Sequence, residues 1–197
     1  MKQTLIYFLL LNLLSSCSQD KVDSAVSVIT PRVFVEHNPS EFTLKGQQLL
    51  YNNEPFSGYL FRLFNSSLDT LECIGYLEGK MNGISKKWHS PKQLAEFRVY
   101  RNGKKNGSQI SYWPNGNKRF EFVAVDNKYE GKMEQWDSKG MLTQLGNYKD
   151  GHEFGEQKMW SANGKIRSNY IIKNGRRYGL LGTKNCVNVS DSIDLIK

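Results

Sequence analysis

Glycines at a fixed interval constrain this chain more than any other feature. Gly58, Gly83, Gly107, Gly131, Gly155 and Gly179 are separated by 25 residues once and then by 24 four times in succession. A fixed period of this size marks a repeat array, whose units bury their apolar surface only by stacking on one another. One unit reads YKDGHEFGEQKMWSANGKIRSNY, from Tyr148 to Tyr170. It holds two more glycine turns, Asp150-Gly151 and Asn163-Gly164, with a polar-aromatic run between them that ends in Trp160. Two strands and two turns per unit are the simplest solution.

The first turn recurs as Glu78-Gly79, Asn102-Gly103, Asp150-Gly151 and Asn174-Gly175, and in the unit between them Asn127 stands where Gly is expected. Such pairs are strong hairpin signals, because both central residues of a type I′ turn need positive φ, which Gly and Asn accept at little cost. The second turn recurs as Asn115-Gly116, Lys139-Gly140 and Asn163-Gly164. The periodic glycines are themselves counted among the repeat turns. Five residues after Gly83, Gly107, Gly131 and Gly155 come Trp88, Tyr112, Trp136 and Trp160, and Trp113 adjoins Tyr112, so all four tryptophans fall in or beside one slot. On an antiparallel meander this slot makes a stripe with roughly 10 Å between members. Two readings of the stripe stand: a packing core for a thin sheet, or an exposed stacking ladder for a sugar chain or a partner strand.

Motifs such as YRNGKKNGSQISYWPNGNKRFEF and YKDGHEFGEQKMWSANGKIRSNY resemble the MORN-repeat variant family, whose bacterial members are often described as YwqK-type antitoxins. The resemblance runs from Leu49 to Gly182. It implies an all-β fold, an elongated, twisted antiparallel β-meander of tandem hairpin repeats, and a role in binding rather than catalysis. It carries no catalytic set over to this chain.

The first 16 residues are set apart from the domain. Lys2 gives a small positive start, and the apolar run Leu5–Leu14 spans about ten residues, where a membrane-crossing helix needs roughly 20. It closes in Leu14-Ser15-Ser16-Cys17, which resembles the lipobox of bacterial lipoproteins. That resemblance implies cleavage before Cys17, a lipid on Cys17, and anchoring in the envelope. Ser18 after the cysteine favours the outer membrane. Residues 17–41 read as a tether with one or two short edge strands around Val26, Val28, Val33 and Val35, interrupted by Pro31 and Pro39. The array of about six units is expected over 42–184. Its first unit is atypical, as a terminal cap should be, and its last decays, with Lys184 in the aromatic slot. Residues 185–197 make a tail or a closing strand.

The chain carries 27 Lys and Arg against 19 Asp and Glu, and loss of the leader removes only Lys2. The basic residues gather near the turns, as at Lys86-Lys87, Lys104-Lys105, Lys118-Arg119 and Arg176-Arg177. Rows of them suit an acidic glycan, an acidic protein or anionic headgroups, or simply keep the sheet soluble and its edges unpaired. An exported protein is a poor nucleic-acid binder. With Cys17 lipidated, Cys73 and Cys186 remain, nearly five repeats apart. An open meander at about 4.8 Å per strand holds them some 40 Å apart, too far for a disulfide. His37, His89 and His152 fall at non-equivalent positions without metal-ligand spacing. No catalytic residue, metal site or cofactor is expected. The reading is a lipid-anchored, non-catalytic module for an envelope protein or glycan; the alternative is an envelope-side immunity protein that occludes a toxin. Phe120 and Phe122 share one face, and the equivalent face of the preceding unit carries Glu96 and Arg98, which leaves inside and outside unassigned.

Overall fold

The computed structural model describes residues 29–65 and 67–182. Cys17, the leader, Lys184, Cys186 and the tail lie outside the described residues. The chain is all-β. Its main sheet begins with β1 (Phe34–Glu36), β5 (Gly58–Leu63) and β6 (Thr70–Leu77). It continues through β7 (Lys80–Ser90), β8 (Gln93–Arg101), β9 (Lys104–Tyr112), β10 (Lys118–Val125) and β11 (Lys128–Trp136). It ends in β12 (Leu142–Lys149), β13 (His152–Trp160), β14 (Ile166–Lys173) and β15 (Arg176–Leu180). From β5 to β15 each strand pairs antiparallel with the next, and the sheet of 12 strands stays open between β1 and β15. The expected meander of hairpins is the fold.

The glycines divide into three conformational kinds. The first turns have positive φ at both central residues, as at Asn102 (49°) and Gly103 (80°), and at Asp126 (48°) and Asn127 (70°). These are the type I′ turns expected from sequence. The second turns differ. Gly116 has φ 89° but Asn115 is not left-handed, and Gly116 N donates to Trp113 O at 2.8 Å while Trp113 N donates to Asn117 O at 2.8 Å. This is a type I turn closed by a left-handed glycine, with Pro114 in the position that such a turn favours. Gly140 and Gly164 repeat it.

The periodic glycines are not turns, and this corrects the sequence reading. Gly83, Gly107, Gly131 and Gly155 lie inside β7, β9, β11 and β13, and Gly58 and Gly179 lie in β5 and β15. At each of the four interior positions the register against the preceding strand slips by two residues. Ile74 faces Ser85 but Tyr76 faces Met81, and Arg98 faces Gln109 but Tyr100 faces Lys105. The same slip follows in β10–β11 and β12–β13. The bulged strand turns through positive φ at the glycine (76° at Gly83, 72° at Gly131), which a side chain resists. A positive-φ glycine in a bulge and one in a turn look alike in sequence, which is why the period was legible and its meaning was not.

Bulge and turn lock together along one edge of the sheet. Gly103 N donates to Met81 O and Gly151 N to Tyr129 O, each reaching back to the preceding hairpin. The residue before the bulge glycine often caps the next turn, as Asn82 Oδ1 does for Asn102 N and Glu130 Oε2 for Asp150 N. In the unit without a turn glycine, Asn127 Oδ1 accepts from Lys105 N at 2.8 Å while Asn127 N donates to Lys105 O. Asn127 is therefore engaged twice. Gly103→Val should cost about 1–3 kcal/mol for strained φ. Asn127→Val should cost no less, since it adds a lost hydrogen bond worth about 1 kcal/mol. Urea denaturation of the two variants side by side checks this, and a clearly milder Asn127→Val would refute it.

The array does not begin at Phe42. β2 (Phe42–Lys45), β3 (Gln48–Tyr51) and β4 (Glu54–Pro55) form a separate sheet of three strands. Two Asn with positive φ, Asn52 and Asn53, turn the chain back, and Pro55 lacks the N–H to extend the ladder. Phe42, Leu49, Phe56 and Leu60 pack there as a hydrophobic cluster, with Tyr51 and Tyr76 against it. Leu49 N donates to Gly79 O and Gly79 N to Phe56 O, which fixes the small sheet to the first repeat turn. The segment read as tether contributes too: Val35 sits in β1, which runs parallel to β5, and Thr30 is buried with its hydroxyl on Asn82 O.

Candidate functional site: an aromatic groove on one sheet face

Side chains two residues beyond the periodic glycines define the covered face. Ser85, Gln109, Met133 and Gln157 are all buried, and Gln109 completely so. Register places them in one continuous row across the strands, through Arg98, Phe122, Gly146 and Tyr170. The two glutamines repair the bulges. Gln109 Nε2 donates to Val99 O at 2.8 Å and Gln157 Nε2 to Asn147 O at 2.7 Å, and in both cases the acceptor belongs to the residue stranded opposite the bulge. A buried polar row of this kind satisfies backbone carbonyls that the register slip would otherwise orphan. Hydrophobicity could not reveal it; the offset of two from a periodic glycine would have.

Against this row lies a groove of ≈ 410 Å³. Four rings line it in sequence. Phe120 and Phe122 have centroids 5.7 Å apart, Phe122 and Tyr129 4.6 Å, and Tyr129 and Tyr148 5.0 Å. Three strands supply them, β10, β11 and β12. The Arg98 guanidinium lies over Phe120 at 4.7 Å from the ring centroid, held by Glu96 Oε1 at 3.5 Å, and Met133 belongs to the lining. Lys105, Gln135 and Gln144 complete it, and it contains no carboxylate. Among the described residues the Lys105 ammonium and the Gln135 and Gln144 amides have no hydrogen-bond or ion-pair partner. Burial, with Glu153 adding to it, pushes the Tyr148 phenol upward, so it stays a protonated donor. The lining combines flat apolar surface, amides and two cations.

The stripe drawn from sequence is elsewhere. Trp88, Tyr112, Trp136 and Trp160 each meet a partner across the second-turn hairpin: Leu94, Lys118, Leu142 and Ile166. Trp136 follows the groove residue Gln135 directly, so strand alternation sends it to the opposite face. All four are half-buried. One of the four meets a cation, with Lys118 Nζ 5.6 Å from the Trp136 ring, and Arg119 covers the neighbouring Trp113 at 4.7 Å. Trp113 Nε1 also donates to Trp136 O at 3.0 Å. The slot clasps hairpin ends; it forms neither a closed core nor a bare ladder.

No protein-family model matches this chain, and none of the curated proteins matches it. Among the described residues no cluster of His, Cys, Asp or Glu is arranged to hold a metal. Cys73 is a free thiol whose burial raises its pKa. The groove is the place where aromatic surface and unengaged polar groups converge.

Proposed function

We propose that this chain is a lipid-anchored repeat protein of the bacterial envelope that acts by binding, holding a protein or glycan partner on one face of its sheet. The groove carries this reading: four contiguous rings beside the Gln135 and Gln144 amides and the Lys105 ammonium, which no other side chain engages, describe a recognition surface. The Leu14–Cys17 box supports the anchor, because a leader of that length followed by cysteine suits lipid attachment. Metabolic labelling with a palmitate analogue is expected to mark the wild-type chain and leave Cys17→Ala unmarked; equal labelling would remove the anchor. Crosslinking in intact envelopes tests the binding role. Wild type should capture a partner that Tyr129→Ala loses while Trp160→Ala keeps it. Capture indifferent to Tyr129 would mean that the groove is not the binding surface.

A further inference from the structure

We infer that the groove takes a carboxylate-bearing oligosaccharide, a chain of uronate sugars, laid across the strands from β8 to β12. The inference rests on the binding role proposed above and adds its ligand class.

Geometry comes first. The lining residues come from five consecutive strands, β8 through β12. At strand spacing this spans roughly 19 Å, enough for several sugar rings in line. The ligand must lie on the face of a sheet whose interior strands are already paired on both sides. A peptide adding itself by main-chain hydrogen bonds needs a free strand edge, which the groove does not offer. A flat, linear molecule that binds through its faces and its rim does not need one.

The chemistry then narrows the class. Phe120, Phe122, Tyr129 and Tyr148 present ring surface on successive strands, suited to the apolar C–H faces of pyranose rings. Gln135 and Gln144 are register partners, so their amides stand side by side on β11 and β12 and offer donors and acceptors to hydroxyls. Cations occupy the other end. Arg98 on β8 is braced over Phe120 with one arm of its guanidinium on Glu96, while Lys105 on β9 supplies the unpaired charge for a ligand carboxylate. With Glu96 answering Arg98 from outside the lining and no carboxylate inside it, a neutral sugar leaves the Lys105 charge unanswered. A bare phosphate, for its part, leaves the four rings unused.

Titration calorimetry on the full-length chain in detergent tests this. The probes are α- and β-linked uronate hexamers, a neutral glucose hexamer and inorganic phosphate. At least one uronate hexamer should bind, more weakly as salt rises. Lys105→Gln and Tyr129→Ala should each weaken it about tenfold, the worth of one charged hydrogen bond or one aromatic contact. Trp160→Ala, on the opposite face, should leave it unchanged, and the melting curve of each variant confirms that it is folded. Equal binding of the neutral hexamer, displacement by phosphate alone, or affinity indifferent to both groove variants would overturn the inference. So would failure of every uronate probe. If the uronates fail while Tyr129-dependent capture in envelopes persists, only the ligand class falls; if both fail, the binding role falls with it.

Discussion

Gly79→Val should be among the most damaging single changes in the array, lowering unfolding free energy by about 4 kcal/mol. Two costs add. The residue sits at φ 77°, which a β-branched side chain adopts only under strain, and a Cβ there would stand 2.7 Å from Leu49 O and against the Gln48 side chain. Relief would require Leu49 to retreat, breaking the pair of hydrogen bonds that fix the small sheet to the array. Gly175 is the internal control. It occupies the same turn position at φ 71° with open space around it, so Gly175→Val should cost only about 1–3 kcal/mol. Thermal melting of the two variants separates backbone strain from collision, and coincident curves would show that the small sheet is not held at Gly79.

Phe56→Ala should lose about 3–5 kcal/mol, the usual cost of emptying a buried aromatic site. Phe56 is 5% exposed and makes edge contacts with Phe42 and Tyr51. Trp136→Ala should cost less, about 1–3 kcal/mol, because its half-buried ring rests on one hairpin partner and one lysine. Guanidinium titrations of both report the order directly. A larger loss at Trp136 would restore the recurring aromatic slot as the main core.

The sequence carried the architecture because its strongest signals are local. Asn102-Gly103 and Asp150-Gly151 state their turn type in two letters, and repetition at 24 residues fixes how many times the motif is built. The groove was hidden for a different reason. Phe120 and Phe122 were recognisable as sharing a face, but Tyr129 reaches Phe122 only through the register slip at Gly131, where Phe122 faces Met133 and Val123 faces Glu130. A slip of two residues preserves alternation and leaves no trace in the pattern of apolar positions. The small sheet was hidden too, since Leu49 and Phe56 resemble the apolar residues of a first repeat until Pro55 and the Asn52-Asn53 turn divert the chain. The tryptophans mark the hairpin ends and not the groove. Gln109 and Gln157 of the buried row are polar, and only their hydrogen bonds to carbonyls opposite the bulges explain them.

Each strand of the long sheet leans mainly on the two strands beside it. Influence therefore decays along the array instead of spreading through a shared interior. A lesion at β15, where every residue is exposed, is felt in β14 and fades before it reaches β12. The five strands that build the groove are insulated on one side by three ladders and on the other by those through β7, β6, β5 and β1, where the small sheet is anchored. Such a molecule can lose, gain or vary its far end while the groove keeps its shape, which makes the sheet a tolerant carrier for a surface written into its middle.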